Sequence, residues 1–144
     1  MDLDALYSDL RRDEGVRLRP YVDSVGKVTI GCGRNLSDVG ISDAEVTFLL
    51  HNDVSAAISD LDRNAPWWRT LSKNRQRALA NMCFNMGWPR LSGFQKMLTA
   101  LREGRWDDAA QESLDSRWAD QTDGKIDGKD GQRAQRIAEM IRHG

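Results

Sequence analysis

Leu3, Leu6, Tyr7 and Leu10 fall at the i, i+3, i+4, i+7 spacing of one helical face. Asp2 or Asp4 caps the start of this predicted helix, and Gly15, next after Glu14, ends it by adopting the left-handed conformation. Glu14 is therefore expected in the last turn. From Arg17 to Gly33 the period drops to two: Val28, Ile30 and Cys32 alternate with Thr29, Gly31 and Gly33. That pattern predicts a strand with one apolar face and one almost bare face. Asp23-Ser24-Val25-Gly26 reads as a turn entered through Tyr21 and Val22, and Pro20 keeps the preceding strand short or at an edge. Ser42-Asp43-Ala44-Glu45 is a capping box, and Val46, Leu49, Leu50, Val54, Ala57, Ile58 and Leu61 continue at helical spacing. A helix of that reach is roughly 30 Å long. After Pro66 the pattern stays helical, with stripes at Leu71, Ala78, Leu79, Met82 and Cys83, at Leu91, Phe94, Met97, Leu98 and Leu101, at Trp106, Ala109, Ala110 and Leu114, and at Ile137, Met140 and Ile141. Residues 123–131 are glycine-rich and read as a loop.

These elements predict an α+β fold, mostly helical. A small β-hairpin lobe spans about residues 14–45, a long connecting helix about 42–62, and a helical lobe 63–144, which also takes the first helix, with a cleft between the lobes. The 144 residues, 40% hydrophobic and 30% charged, suit one globular domain. No stretch approaches the roughly 20 apolar residues of a membrane span, and the charge-studded residues 1–14 do not read as a secretory signal. Cys32 and Cys83 cannot build a disulfide scaffold and are expected to be free. A net charge of −1 excludes a strongly basic nucleic-acid binder. The charge is uneven, however: residues 1–63 carry 7 Lys/Arg against 12 Asp/Glu, and residues 64–144 carry 14 against 10. The later part could draw in an anionic polymer, while the earlier part concentrates carboxylates. Asp123, Asp127 and Asp130 do not follow the calcium-loop pattern, so neither a metal nor another cofactor is expected.

Among those carboxylates, Glu14 at a helix C-terminus meets the negative end of the macrodipole, which favours the protonated form that a general acid needs. Asp23 opens a turn, and Thr29 lies on the bare strand face beside Gly31 and Gly33, where a ligand can approach the backbone. Each of these residues alone has an ordinary structural explanation. Together, two carboxylates and a hydroxyl on a helix end, a turn and a strand are the equipment for hydrolysing a glycosidic bond.

The run Arg12-Asp-Glu-Gly-Val-Arg-Leu-Arg-Pro-Tyr-Val-Asp23, followed by Gly26-Lys-Val-Thr-Ile-Gly-Cys-Gly33, resembles the bacteriophage lysozymes of the T-even type, glycoside hydrolase family 24. The E-x8-D-x5-T spacing is that family's catalytic signature. The likeness continues through Asn52-Asp-Val-Ser-Ala-Ala57, Asn81-Met-Cys-Phe-Asn-Met-Gly87, Arg105-Trp-Asp-Asp-Ala-Ala110, Ser116-Arg-Trp-Ala-Asp-Gln-Thr122 and Gln132-Arg-Ala-Gln-Arg136. The resemblance implies a monomeric endolysin that cleaves the β-1,4 bond between N-acetylmuramic acid and N-acetylglucosamine in peptidoglycan. Glu14 would protonate the leaving oxygen, and Asp23 with Thr29 would act on a water, inverting the anomeric carbon. It further implies substrate contacts at Gly33, Asn35, Phe84, Asn85 and Arg133. Arg133 falls where the family places an arginine against the glutamate; such a pair favours the charged glutamate and opposes the helix-end effect. The family's usual His is replaced here by Arg34, which is expected to pair with Asp53. The implied location is the host cytoplasm, with release to the wall once another protein opens the inner membrane.

Rival readings remain at this level. A lytic transglycosylase needs the Glu but no water-holding Asp, and a wall-binding module needs neither. A third reading is weak membrane contact by a basic amphipathic C-terminus, where Arg133, Arg136 and Arg142 accompany Ile137, Met140 and Ile141.

Overall fold

The computed structural model describes residues 1–123 and 132–144; the 123–131 loop thus lies almost wholly outside the described residues. The helices are α1 (Leu3–Asp13), α2 (Asp43–Asn64), α3 (Lys73–Met86), α4 (Trp88–Leu91), α5 (Gln95–Glu103), α6 (Trp106–Leu114), α7 (Arg117–Asp123) and α8 (Arg133–His143), with a 3-10 turn at Pro66–Thr70. A three-stranded antiparallel sheet, in the order β1 (Arg17–Val22), β2 (Val28–Gly31), β3 (Arg34–Asn35), completes the α+β fold. By contact density the chain forms two compact units, Met1–Leu49 and Leu50–Gly144.

In the first unit the local signals act as the sequence predicts. The Asp2 carboxylate accepts the Ala5 N–H at 3.0 Å as the N-cap of α1, and Gly15 follows the helix at φ +71°. β1 is an edge strand, and its pairing register shifts between Arg17 and Tyr21, the stretch containing Pro20, which has no N–H to donate. The capping box forms reciprocally. Glu45 Oε2 accepts from the Ser42 N–H at 2.7 Å, and Ser42 Oγ accepts from the Glu45 N–H at 3.3 Å. No residue of α1 is buried.

One expectation about faces is reversed. Thr29, assigned to the bare face of β2, is only 4% exposed and is the single buried residue of this unit, whereas Val28 and Cys32 are exposed. The period of two holds, but the apolar side of β2 is left partly open. The large apolar side chains of this unit, Leu18, Val22, Val25 and Phe48 among them, stay exposed, whereas the hydroxyl of Thr29 has polar partners on the inner side.

The second unit is a conventional core. Leu61, Leu79, Met82, Leu91, Met97, Leu101 and Ile141 are fully buried, and α8 packs against α3, α6 and α7. The predicted stripe from Leu91 to Leu101 is divided: α4 (Trp88–Leu91), with Pro89 in its first turn, ends at the C-cap Ser92, and α5 starts only after Phe94. Ala134, Ile137, Ala138 and Ile141 put the apolar face of α8 into this core, so the basic C-terminus offers no continuous apolar face to a membrane. Among the described residues no helix is long and apolar enough to cross a membrane. Cys32 and Cys83 are both free. Burial, and then the nearby Asp60, raises the Cys83 thiol pKa, which suits an inert core position.

Two polar clamps fix the ends of this unit. Asp62 accepts from Trp68 Nε1 at 2.8 Å and from Arg69 Nε at 2.7 Å, tying the end of α2 to the 3-10 turn. Arg75 donates to the Ile141 carbonyl at 2.8 Å and the Arg142 carbonyl at 3.1 Å, while its guanidinium lies 3.8 Å from the Trp106 ring centroid. Arg75 thus satisfies the open carbonyls at the end of α8 and joins α3, α6 and α8. Replacing it with Ala is expected to destabilise the protein by about 2 kcal/mol, the scale of charge-assisted hydrogen bonds lost at a half-buried site. Arg75→Lys should recover only part of that loss, because an ammonium lacks the rigid planar fork and the flat face that lies on the Trp106 ring. Urea unfolding of the three proteins is the measurement, and equal midpoints would contradict the clamp.

Candidate active site

The first unit places Glu14, Asp23 and Thr29 on a helix end, a turn and a strand. Glu14 is the C-cap residue of α1, with its N–H donating to the Leu10 carbonyl at 2.9 Å. Its side chain is exposed and meets no hydrogen-bonding or ionic partner within its unit.

Asp23 is held more tightly. Its Oδ1 accepts the Val25 N–H at 2.9 Å and the Lys27 N–H at 2.8 Å, an arrangement in which the side chain closes its own turn. The backbone completes it: the Asp23 N–H donates to the Lys27 carbonyl at 2.9 Å and the Gly26 N–H donates to the Asp23 carbonyl at 3.1 Å. Gly26 stands at φ +83°, a conformation that L side chains avoid. One carboxylate oxygen is thereby immobilised and the other, Oδ2, is left facing Thr29. Thr29 Oγ1 lies 3.5 Å from Asp23 Oδ2 and 3.2 Å from the Lys27 carbonyl. Both separations exceed the usual O–H···O range, so the hydroxyl is aimed at the carboxylate without being saturated by it.

The turn from β2 to β3 passes through Gly31 at φ +68° and Gly33 at φ +87°, with open space where a Cβ would stand on either. Backbone conformation, rather than a close contact in the fold, therefore calls for glycine here. The turn borders an open, mainly apolar hollow of about 990 Å³, lined among others by Cys32, Arg34, Leu36, Ile41 and Phe48. Asn35 opposes Thr29 across the ladder. Its side chain binds Asp38, accepting the Asp38 N–H at 2.9 Å and donating to Asp38 Oδ2 at 3.0 Å.

Arg34, expected to pair with Asp53, has its partners within its own unit. Arg34 Nη1 donates to Glu45 Oε2 at 3.0 Å and to the Gly40 carbonyl at 3.3 Å. The short return from Arg34 to Gly40 brings the guanidinium over the first turn of α2. Asp53, in the second unit, lines a small hollow with Ala56, Asp60, Cys83 and Phe84. Hydrogen bonds from the Ser42 backbone, then from Arg34 and the Ser42 hydroxyl, hold the Glu45 carboxyl at a pKa of about 2.

The remaining predicted residues belong to the second unit and divide between two hollows. Asn85, on α3, accepts from Trp118 Nε1 at 2.7 Å and lines a hollow of about 1060 Å³ with Phe94, Gln121 and the charged Arg90, Lys96, Glu112 and Arg117. Phe84 and Arg133 line another, of about 590 Å³, with Leu50, Val54, Trp68 and Met140. Arg133 donates through Nε at 2.9 Å and Nη2 at 2.7 Å to Asn81 Oδ1. Sequence reasoning missed the bridging roles of Lys27, Asp38 and Asn81. An i, i+3 Asn–Asp spacing at Asn35 and Asp38 was the one local signal available. No group of three or more His, Cys, Asp or Glu that could hold a metal occurs among the described residues.

The Glu45 geometry carries a pH consequence. A carboxyl whose folded pKa is about 2, against an ordinary 4.5, stabilises the fold above pH 4.5 and loses that contribution as the pH falls towards 2. Glu45→Gln is therefore expected to lower the thermal midpoint at pH 6, and the gap from the native protein should close by about pH 2. A gap that does not change with pH would contradict the assignment.

Residues 11–139 match the family model for phage lysozyme. The chain is 33% identical over 144 residues to the pre-baseplate central spike protein Gp5 of Enterobacteria phage T4, an alignment covering 81% of this chain and 25% of that protein. It is also 32% identical over 142 residues to probable T4-type lysozyme 2 of Dictyostelium discoideum, covering 78% of this chain and 84% of that protein. Probable T4-type lysozyme 1 of the same organism is 29% identical over 143 residues, with 78% and 84% covered. The chain thus spans a quarter of the spike protein but most of each Dictyostelium protein. On the match of residues 11–139 and these likenesses, the chain belongs to the phage lysozyme family, a lysozyme class of glycoside hydrolase.

Proposed function

We propose that the protein hydrolyses the β-1,4 bond between N-acetylmuramic acid and N-acetylglucosamine in peptidoglycan, with inversion at the anomeric carbon, and that it serves host-cell lysis. The observation that carries this reading is the Asp23–Thr29 pair: one carboxylate oxygen pinned by two backbone N–H groups, the other 3.5 Å from an unsaturated hydroxyl.

In this mechanism Glu14 donates its proton to the glycosidic oxygen as the C–O bond breaks. A water held between Asp23 Oδ2 and Thr29 Oγ1 attacks the anomeric carbon from the opposite face and passes a proton to Asp23. The leaving sugar departs with a free hydroxyl, the muramic acid becomes a reducing end, and solvent returns the proton from Asp23 to Glu14. A transglycosylase has no need of a water-holding pair, and the pinned Asp23 favours hydrolysis over that alternative. The surplus of Lys/Arg in residues 64–144 suits an anionic wall polymer. The proposed setting is accumulation in the host cytoplasm, with access to the wall once another protein opens the inner membrane.

Glu14→Gln and Asp23→Asn are each expected to lower turnover on purified peptidoglycan by at least about 10²-fold, the scale of lost acid–base catalysis, with folding retained. Mass spectrometry of the native digest should show reducing muramic acid. Anhydro-muramic acid in its place, or full turnover by Glu14→Gln, would overturn the reading.

A further inference from the structure

Asp23 and Thr29 share a neighbour that neither composition nor spacing singles out. The Lys27 peptide groups touch both: its N–H donates to Asp23 Oδ1 at 2.8 Å, and its carbonyl accepts from the Asp23 N–H at 2.9 Å and faces Thr29 Oγ1 at 3.2 Å. Any shift of the Lys27 backbone therefore bears on the candidate base and the candidate water-holding hydroxyl together.

The Lys27 side chain is itself anchored. Its ammonium meets Asp38 Oδ1 at 2.8 Å. The other oxygen of Asp38 accepts from Asn35 Nδ2 at 3.0 Å, and the Asp38 N–H donates to Asn35 Oδ1 at 2.9 Å. Asn35 sits across the ladder from Thr29. The same loop is laced to β2 at two further points, where Leu36 N–H donates to the Val28 carbonyl at 2.7 Å and Val28 N–H donates to Ser37 Oγ at 3.0 Å. The links close into a ring that runs from Thr29 to Asn35, Asp38, Lys27 and back to Asp23 and Thr29, wholly within the first unit.

We propose that Asp38 is a positioning residue for this reaction: by gripping the Lys27 ammonium and the Asn35 amide it fixes the Lys27 backbone that aims Asp23 at Thr29. The inference rests on the hydrolytic reading above and adds to it a residue outside the catalytic signature. Lys27 and Asp38 have side chains 41% and 53% exposed, and pairs that open to water add little to global stability. Reaction geometry is more demanding, since displacements of about 1 Å can change rates by up to about 10²-fold. The pair should therefore be visible in turnover before it is visible in folding.

The experiment compares the native protein with Asp38→Ala, Lys27→Met and the double variant, measuring turnover and half-saturation on soluble peptidoglycan fragments beside the thermal midpoint. Each single variant is expected to lose about 3- to 10-fold in turnover, with half-saturation unchanged and the midpoint within about 2 °C. The double variant should be no slower than the slower single, because both remove one link. Asp38→Asn, which keeps the shape and loses the charge, should fall between Asp38→Ala and the native protein. Native turnover in Asp38→Ala, losses that multiply in the double variant, or losses that track the midpoint would each overturn the proposal. Asp23→Asn in the same assay separates the levels. An inactive Asp23→Asn with an unimpaired Asp38→Ala removes only the role of Asp38, whereas an active Asp23→Asn removes the hydrolytic reading and the positioning role with it.

Discussion

The geometry of the candidate site depends on two backbone N–H groups closing on one oxygen of Asp23. Donation from Val25 and Lys27 turns a freely rotating carboxylate into one with a fixed oxygen and an aimed oxygen. The remaining features support that bond pair. Gly26 supplies the positive φ that brings the Lys27 N–H round to the carboxylate, and the Lys27 carbonyl returns a bond to the Asp23 backbone. Thr29 is carried into position because β2 begins at the residue after Lys27.

The two compact units achieve order by different physics. The second relies on apolar burial, with seven large hydrophobic side chains fully enclosed and α8 contributing a whole face to the core. The first has one buried residue, and that residue is Thr29. Directional polar bonds order it instead: the Asp2 cap, the Ser42–Glu45 box with Arg34 upon it, and the Asn35–Asp38–Lys27 links. Burial alone leaves a side chain's orientation loose, whereas hydrogen bonds specify it. A unit built from such bonds suits the orienting of polar side chains such as Asp23 and Thr29.

Local chemistry was legible in the residues. The caps at Asp2 and Ser42, the turn at Asp23 and the edge position implied by Pro20 are set by neighbours within four residues, and the structure has each of them. The α+β class followed from the change of period, and family membership followed from motifs in order along nearly the whole chain. The inward face of Thr29, the pairing of Arg34 with Glu45 inside the first unit, and the grip of Arg133 on Asn81 were not legible. A face is chosen by how much surface the rest of the unit can cover. A long cationic side chain, in turn, takes whichever carboxylate or amide the connecting loop brings within reach.

The sequence by itself therefore determined which residue types stand at a helix end, a turn and a strand, and hence the class of chemistry they could perform. Only the tertiary structure decided that Lys27 is the shared contact of Asp23 and Thr29, and that Asp38 and Asn35 brace it. The physical reason is range: caps and turns close within a few residues and leave a mark in spacing, whereas a brace between a turn and a loop eleven residues later, such as Lys27 to Asp38, exists only once β2 and β3 have paired.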